Sequence, residues 1–201
     1  AFYEGRLQSA QSGMEITEAE TDSIYLIDSS PYKPKLEQEY GGRRFQPQNQ
    51  VHQQLLLTVL EEFVIQRRVP MYEIGIIVPF RHAVYKTIRL INEEGFNEVE
   101  VGTIHTFQGR EKQLIIFDTV MSAEWKSGSP RHFSVRPFDE HKNGLSVPRL
   151  LNVAFSRSKA HLVVIADMNH IGKVYGDKFL GRLLNRFQQQ SGVISSLSRS
   201  R

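Results

Sequence analysis

Apolar and polar positions along the chain follow two periods. Short, β-branched runs alternate with longer stretches in which apolar residues return every three or four positions. The runs are residues 23–28 (SIYLID), 73–80 (EIGIIVPF), 98–104 (EVEVGTI), 112–120 (KQLIIFDTV) and 161–167 (HLVVIAD). Near-continuous apolar character within a run predicts a strand buried on both faces, as in a parallel sheet covered by helices. Between the runs, residues 51–68 place Val51, Leu55, Val59 and Phe63 on one helical face, with Pro70 closing the helix. Residues 81–95 place Val84, Ile88 and Ile91 inward, with Gly95 as the stop. A helix opening near Pro148 carries Leu151, Ala154 and Phe155 inward, and residues 174–190 form a last amphipathic helix. This is the alternation of βαβ units. It predicts one α/β domain over residues 1–190, five or six mostly parallel strands with helices on both faces. Residues 191–201, Ser-rich and poor in apolar side chains, read as a flexible tail.

Composition changes little in this picture. With 40% hydrophobic and 23% charged residues the chain suits a globular domain. No apolar run approaches the roughly 18 to 20 residues of a membrane-spanning helix, so no membrane partner is expected. There are no cysteines from which to build a disulfide framework. Charge says more through its distribution than through its total of +3. Between residues 124 and 161 stand seven Lys and Arg against three Asp and Glu, a net excess larger than that of the whole chain. A basic segment of this kind is a candidate for phosphate contact, and a solvated loop is its plainer alternative. Residues 121–147 are also long for a connection in a compact domain, which favours a functional loop.

Open parallel sheets bind ligands at the carboxyl ends of their strands, so Asp28, Pro79 to Arg81, His105 to Glu111 and Asp167 to Asn169 are the positions to inspect. The chain has no GxxxxGK[ST] phosphate loop, no GxGxxG, no HExxH and no spaced set of metal ligands. Arg and Glu at strand ends without a phosphate loop read as a domain that completes a site made elsewhere.

Three segments, residues 74–84 (IGIIVPFRHAV), 101–118 (VGTIHTFQGREKQLIIFD) and 151–167 (LNVAFSRSKAHLVVIAD), resemble motifs IV, V and VI of superfamily 1 helicases in order and spacing. The opening AFYEGRL resembles the stretch after motif III, and the branch it is most similar to includes the nonsense-mediated-decay helicase and senataxin. The resemblance implies a RecA-like fold, three layers α/β/α. It makes the chain the C-terminal motor domain of an ATP-dependent helicase or translocase. The first RecA-like domain of the same polypeptide, with Walker A and B, would lie outside these residues and hold most of the ATP and Mg²⁺. The other partner is single-stranded DNA or RNA, the expected direction 5′ to 3′, and the compartment intracellular, cytoplasmic or nuclear.

Residue by residue, the resemblance makes Arg157 the arginine finger and gives Arg81 a second approach to the nucleotide phosphates. Glu111 accepts from the ribose hydroxyls, Gly109 lets the backbone come close, and Gln108 couples the nucleotide to the strand-binding face. Thr103 and His105 meet the nucleic-acid backbone. His105 stands where the family often has Asp, so it either donates to a phosphate or packs in the hinge. Asn152 and Ser156 support motif VI. Trp125 and Lys126, at the mouth of the basic loop, either meet the strand by stacking and charge or pack beneath that loop. No resident metal is expected within the domain. A non-catalytic RecA-like nucleic-acid-binding or interaction module is the alternative function, and a motor fused to other activities leaves this domain unchanged.

Overall fold

The computed structural model describes residues 23–38, 46–107, 109–126, 138, 141–142, 145–146, 151, 155 and 157–190. Its centre is a five-stranded, wholly parallel sheet. In chain order the strands are β1 (Ser23–Asp28), β2 (Lys35–Gln38), β3 (Pro47–Gln48), β4 (Ile74–Ile77), β5 (Glu100–Gly102), β6 (Lys112–Asp118), β7 (Glu124–Trp125), β8 (His141–Lys142), β9 (Leu145–Ser146) and β10 (Ser158–Ala166). The central sheet runs β1-β10-β6-β4-β5, while β3-β2-β7 and β8-β9 form small accessory sheets that the apolar pattern did not signal. Strands of two to four residues carry too few side chains to show a period. The predicted core strands all formed: β1 as predicted, β4, β5 and β6 shorter at their ends, and β10 starting three residues earlier than predicted, at Ser158.

Helices flank the sheet, giving the α/β layering of a RecA-like domain. Helix α1 (Gln50–Leu60) starts where Asn49 accepts from the His52 amide, a side-chain N-cap. It continues as a π-helical stretch, Glu61–Gln66, before Arg68 takes a left-handed φ of 58°. Its buried face includes Leu55, Leu56, Val59, Leu60 and Phe63. Helix α2 (Arg81–Glu93) ends at Gly95 with φ 87°, as its sequence predicted. Its inner face is Ala83, Thr87 and Ile91; Val84 and Ile88 are only half-buried.

The last predicted helix, residues 174–190, is observed from Phe179 as α4 (Phe179–Gln190), and a separate helix that the pattern did not signal, α3 (Met168–Tyr175), precedes it. The break follows from close backbone approach: a Cβ at Gly181 would collide with the Tyr175 carbonyl. Asp167 caps α3 by accepting from the His170 amide at 3.2 Å. Leu151 and Phe155 are helical and buried as expected. Among the described residues no helix is long and apolar enough to cross a membrane.

Strand β6 is the spine of the core, with Leu114 to Phe117 fully buried between β10 and β4. Strand β5 lies at the sheet edge and β6 on the far side of β4, so residues 103–111 must cross β4. They do so through a 3-10 turn, Ile104–Phe107, whose fully buried Phe107 lies against Gly75 of β4. A Cβ at position 75 would stand 2.5 Å from Phe107 Cε1, so only glycine admits the ring there. Gly102 is used in the same way, since a Cβ there would lie 2.5 Å from Thr106 Cβ.

Candidate functional site

The crossing connection begins at the carboxyl edge of the sheet and ends at its amino edge. Thr103 and the exposed His105 follow β5 at the carboxyl edge. Gly109, in a left-handed conformation with φ 78°, and the exposed Arg110 and Glu111 precede β6 at the amino edge. Carboxyl-end logic for this whole stretch therefore holds only for its first residues. Seven residues of β6 separate the two edges, about 20 Å at strand rise.

Arg157 stands at the amino edge because β10 begins at Ser158, paired with Lys112. The Lys112 amide donates to the Arg157 carbonyl at 3.0 Å, which sets Arg157 beside Glu111 one register step before the ladder. Arg157 Nη1 lies 3.9 Å from Glu111 Oε1, and its Nε is buried without a hydrogen-bond partner. A neighbouring ion cluster braces the turn: Glu100, at the start of β5, pairs with Arg110, and Lys112 Nζ lies 3.2 Å from Glu100 Oε2 and donates to the Tyr72 carbonyl at 2.6 Å.

Arg81 is not brought to this group. It is exposed at the start of α2, after β4, and so shares the carboxyl edge with Thr103 and His105. The exposure of His105 leaves it open to a ligand, while its neighbours Ile104 and Phe107 carry the packing. Trp125 is half-buried against the core in β7, which pairs with β2. Lys126 donates its amide to the Leu36 carbonyl at 3.0 Å, and its Nζ lies 3.0 Å from Glu37 Oε1. The structure thus places both at the anchored root of the basic loop. Gln108, Asn152, Ser156, the opening AFYEGRL, the tail and most of the basic segment lie outside the described residues.

A buried trio at the carboxyl edge, Ser29, His52 and Asp118, escaped the sequence reading. Ser29 Oγ lies 2.8 Å from His52 Nε2, and His52 Nδ1 2.6 Å from Asp118 Oδ1. This is the connectivity of a nucleophilic triad, but Ser29 and His52 are both 0% exposed, so no substrate reaches the hydroxyl. The three residues instead tie together the exits of β1 and β6 and the first turn of α1. Asp118 also accepts from the Val120 amide at 2.7 Å, and Asn49 Nδ2 donates to the Val120 carbonyl at 3.1 Å. Together they hold a β-branched residue at φ 62°, a conformation that L side chains rarely adopt.

Asp167, after β10, completes the edge. It accepts from Ser122 Oγ and the Ala123 amide at 2.9 Å each, and from Ser30 Oγ at 3.0 Å. Burial alone would raise its pKa, but the amides of Ala123 and His170 with the hydroxyls of Ser122 and Ser30 outweigh it and hold the carboxyl below its usual range. His170 is pushed down to about 4, chiefly by burial, with nearby Lys173 and His52 adding to the shift and Asp167 opposing it. A signal for this network was present: the runs LID, IFD and IAD all end in Asp. Among the described residues no group of three or more His, Asp or Glu is placed to hold a metal ion.

Residues 1–169 match the profile of a family described as the AAA domain. Among curated proteins the chain is similar to the Regulator of nonsense transcripts 1 homolog of Neurospora crassa, 27% identical over 83% of this chain and 15% of that protein. It is similar to the DNA polymerase alpha-associated DNA helicase A of Schizosaccharomyces pombe, 34% identical over 49% of this chain and 13% of that protein. It also matches the human RNA helicase Mov10l1, 33% identical over 51% of this chain and 8% of that protein. The chain spans only a small part of the length of each. Family profile, relatives and parallel sheet agree with the motif resemblance: the chain belongs to the AAA domain family and corresponds to the C-terminal RecA-like domain of superfamily 1 helicases.

Proposed function

We propose that this domain is the C-terminal half of an ATP-dependent DNA or RNA helicase or translocase, and that its amino edge completes an ATP site whose phosphate loop and Mg²⁺ ligands belong to the preceding RecA-like domain. The observation that carries the reading is the pairing of Arg157 and Glu111 across the first rung of β10 and β6, with Arg157 Nε buried and unpartnered. A guanidinium held at a strand end with donors to spare suits the charge that develops on a transferred phosphoryl group. Glu111 is the acceptor for ribose hydroxyls, Gly109 lies in the same turn, and Gln108 is the residue before it in sequence.

The carboxyl edge is the strand side. Thr103 and His105 supply a hydroxyl and an exposed ring for the phosphate backbone. Arg81, on the same edge and about a strand length from Arg157, fits a strand phosphate better than the nucleotide. Trp125 and Lys126, where the basic stretch of sequence begins, are further candidates to meet the strand. DNA and RNA helicases both stand among the relatives, so the reading covers either strand chemistry.

In the whole protein, Arg157→Ala should reduce kcat for strand-stimulated ATP hydrolysis by about 10³- to 10⁵-fold, the range typical of arginine fingers, while ATP still binds. Unchanged turnover would leave a strand-binding module without a motor role. Parallel loss of binding and turnover would point to a folding defect.

A further inference from the structure

Arg157 has two oddities that its assignment as a finger does not explain. Its Nε is buried with no hydrogen-bond partner, and among the described residues its one ionic contact is a carboxylate 3.9 Å away, beyond hydrogen-bond length. The sheet enforces this proximity: the Lys112 amide binds the Arg157 carbonyl, and Ser158 pairs with Lys112, so Arg157 and Glu111 face each other wherever the ladder is intact. The other carboxylate at this edge, Glu100, is engaged by Arg110 and Lys112. Glu111 is therefore the acidic side chain left to Arg157 among the described residues.

We infer that Glu111 is a positioning residue for Arg157, holding the guanidinium at the cleft face in the nucleotide-free domain and yielding it to the terminal phosphate when nucleotide arrives. The pair suits a handover. Glu111 is 55% exposed, so its attraction is screened and readily exchanged. Arg157, 28% exposed, keeps its fork donors uncommitted. A phosphate oxyanion carries more charge than a carboxylate and matches that fork, so it wins the exchange. Without the carboxylate, a long side chain with many rotamers must find its catalytic geometry during each turnover.

The inference rests on the reading of Arg157 as the finger, and a four-protein cycle separates the two. In the whole protein, kcat and KM for ATP are measured for the parent, Glu111→Ala, Arg157→Ala and the double variant, with circular dichroism as the folding check. Glu111→Ala should lower kcat about 10- to 100-fold, the scale of a misplaced catalytic group, in addition to any rise in KM from the lost ribose contact. In the Arg157→Ala background it should do nothing further to kcat. Glu111→Gln, which keeps the shape without the charge, should behave like the Ala variant, and Glu111→Asp should recover part of the rate. If Glu111→Ala raises KM for ATP alone, and the effect disappears with 2′,3′-dideoxy-ATP, the carboxylate serves the ribose only and the inference is overturned with the finger intact. Independent, multiplicative losses in the cycle would overturn it as well. If Arg157→Ala leaves kcat unchanged, the reading of Arg157 itself falls.

Discussion

The crossing of residues 103–111 over β4 can be tested through one contact, Gly75 against Phe107. An added methyl at position 75 would stand 2.5 Å from Phe107 Cε1, 3.1 Å from Cζ and 3.0 Å from Ile115 Cδ1. Both neighbours are fully buried, so neither can swing into solvent, and overpacking of this kind costs roughly 1–3 kcal/mol. Ala recovers about 0.5–1 kcal/mol through reduced backbone freedom in the unfolded chain, leaving Gly75→Ala destabilised by about 1–2 kcal/mol. Phe107→Ala removes the ring and should cost about 3–5 kcal/mol.

In the double variant the methyl at 75 enters space that the ring has left. The clash disappears, the backbone gain remains, and burial of one methyl adds about 0.8 kcal/mol. Gly75→Ala should therefore change sign, destabilising the parent but stabilising the Phe107→Ala protein, for a coupling of about 2–4 kcal/mol. Urea denaturation of the four chains measures this from midpoints at constant slope. Equal effects of Gly75→Ala in both backgrounds would refute the packing, and with it the path of the crossing connection.

Two further outcomes follow from the carboxyl edge. His170 has its folded pKa lowered to about 4 from an ordinary 6.5, so the unfolded state takes up the proton first. Its contribution to stability is present above about 6.5 and declines as pH falls toward 4, by roughly 3 kcal/mol at 1.36 kcal/mol per unit; His170→Phe should flatten that segment of a stability-against-pH curve, and an unchanged slope would sink the assignment. For Arg81 the expected result is weaker single-strand binding with the slope of log K against log salt reduced by about one, uniformly across sequences; an unaltered slope in a filter-binding or anisotropy titration would remove Arg81 from the strand.

The core sheet was legible in the sequence because its strands are buried on both faces and so spell unbroken apolar runs, as SIYLID and HLVVIAD do. Strands β2, β3 and β7 were not, since they are short and held by main-chain pairing and by single contacts such as Lys126 with Glu37. Helix α3 was missed and the last helix was started at Val174 instead of Phe179, since the boundary between them depends on the close approach of Gly181 to the Tyr175 carbonyl. At the site, the motif resemblance picked out Glu111 and Arg157, but sequence distance gives no edge. Forty-six positions separate residues 111 and 157, yet the register of β6 and β10 makes them neighbours. Arg81 and Glu111, much closer in sequence, lie at opposite ends of the strands. His52 and Asp118 were missed because a triad of contacts among Ser29, His52 and Asp118 has no spacing that sequence can show.

The geometry also says which part of the amino edge is free to move. The turn that carries Glu111 is fixed at two points, by Phe107 in the slot over Gly75 and by Arg110 and Lys112 on Glu100. Among the described residues, Arg157 is tied through its backbone to the Lys112 amide, and its side chain has a loose ionic contact and an unpartnered Nε. A rearrangement on nucleotide binding therefore costs least as a movement of the guanidinium against a stationary carboxylate. At the other end of the connection, Thr106 packs on Gly102 beside Thr103, so the carboxyl-edge end is braced as well. A connection braced at both ends acts as a strut: on the proposed function, displacement of the whole domain, rather than local flexing of the turn, would relate the amino edge to the carboxyl edge. Loosening the strut by Phe107→Ala should then reduce the stimulation of ATPase by single strands more than the unstimulated rate, whereas Arg157→Ala should reduce both by the same factor.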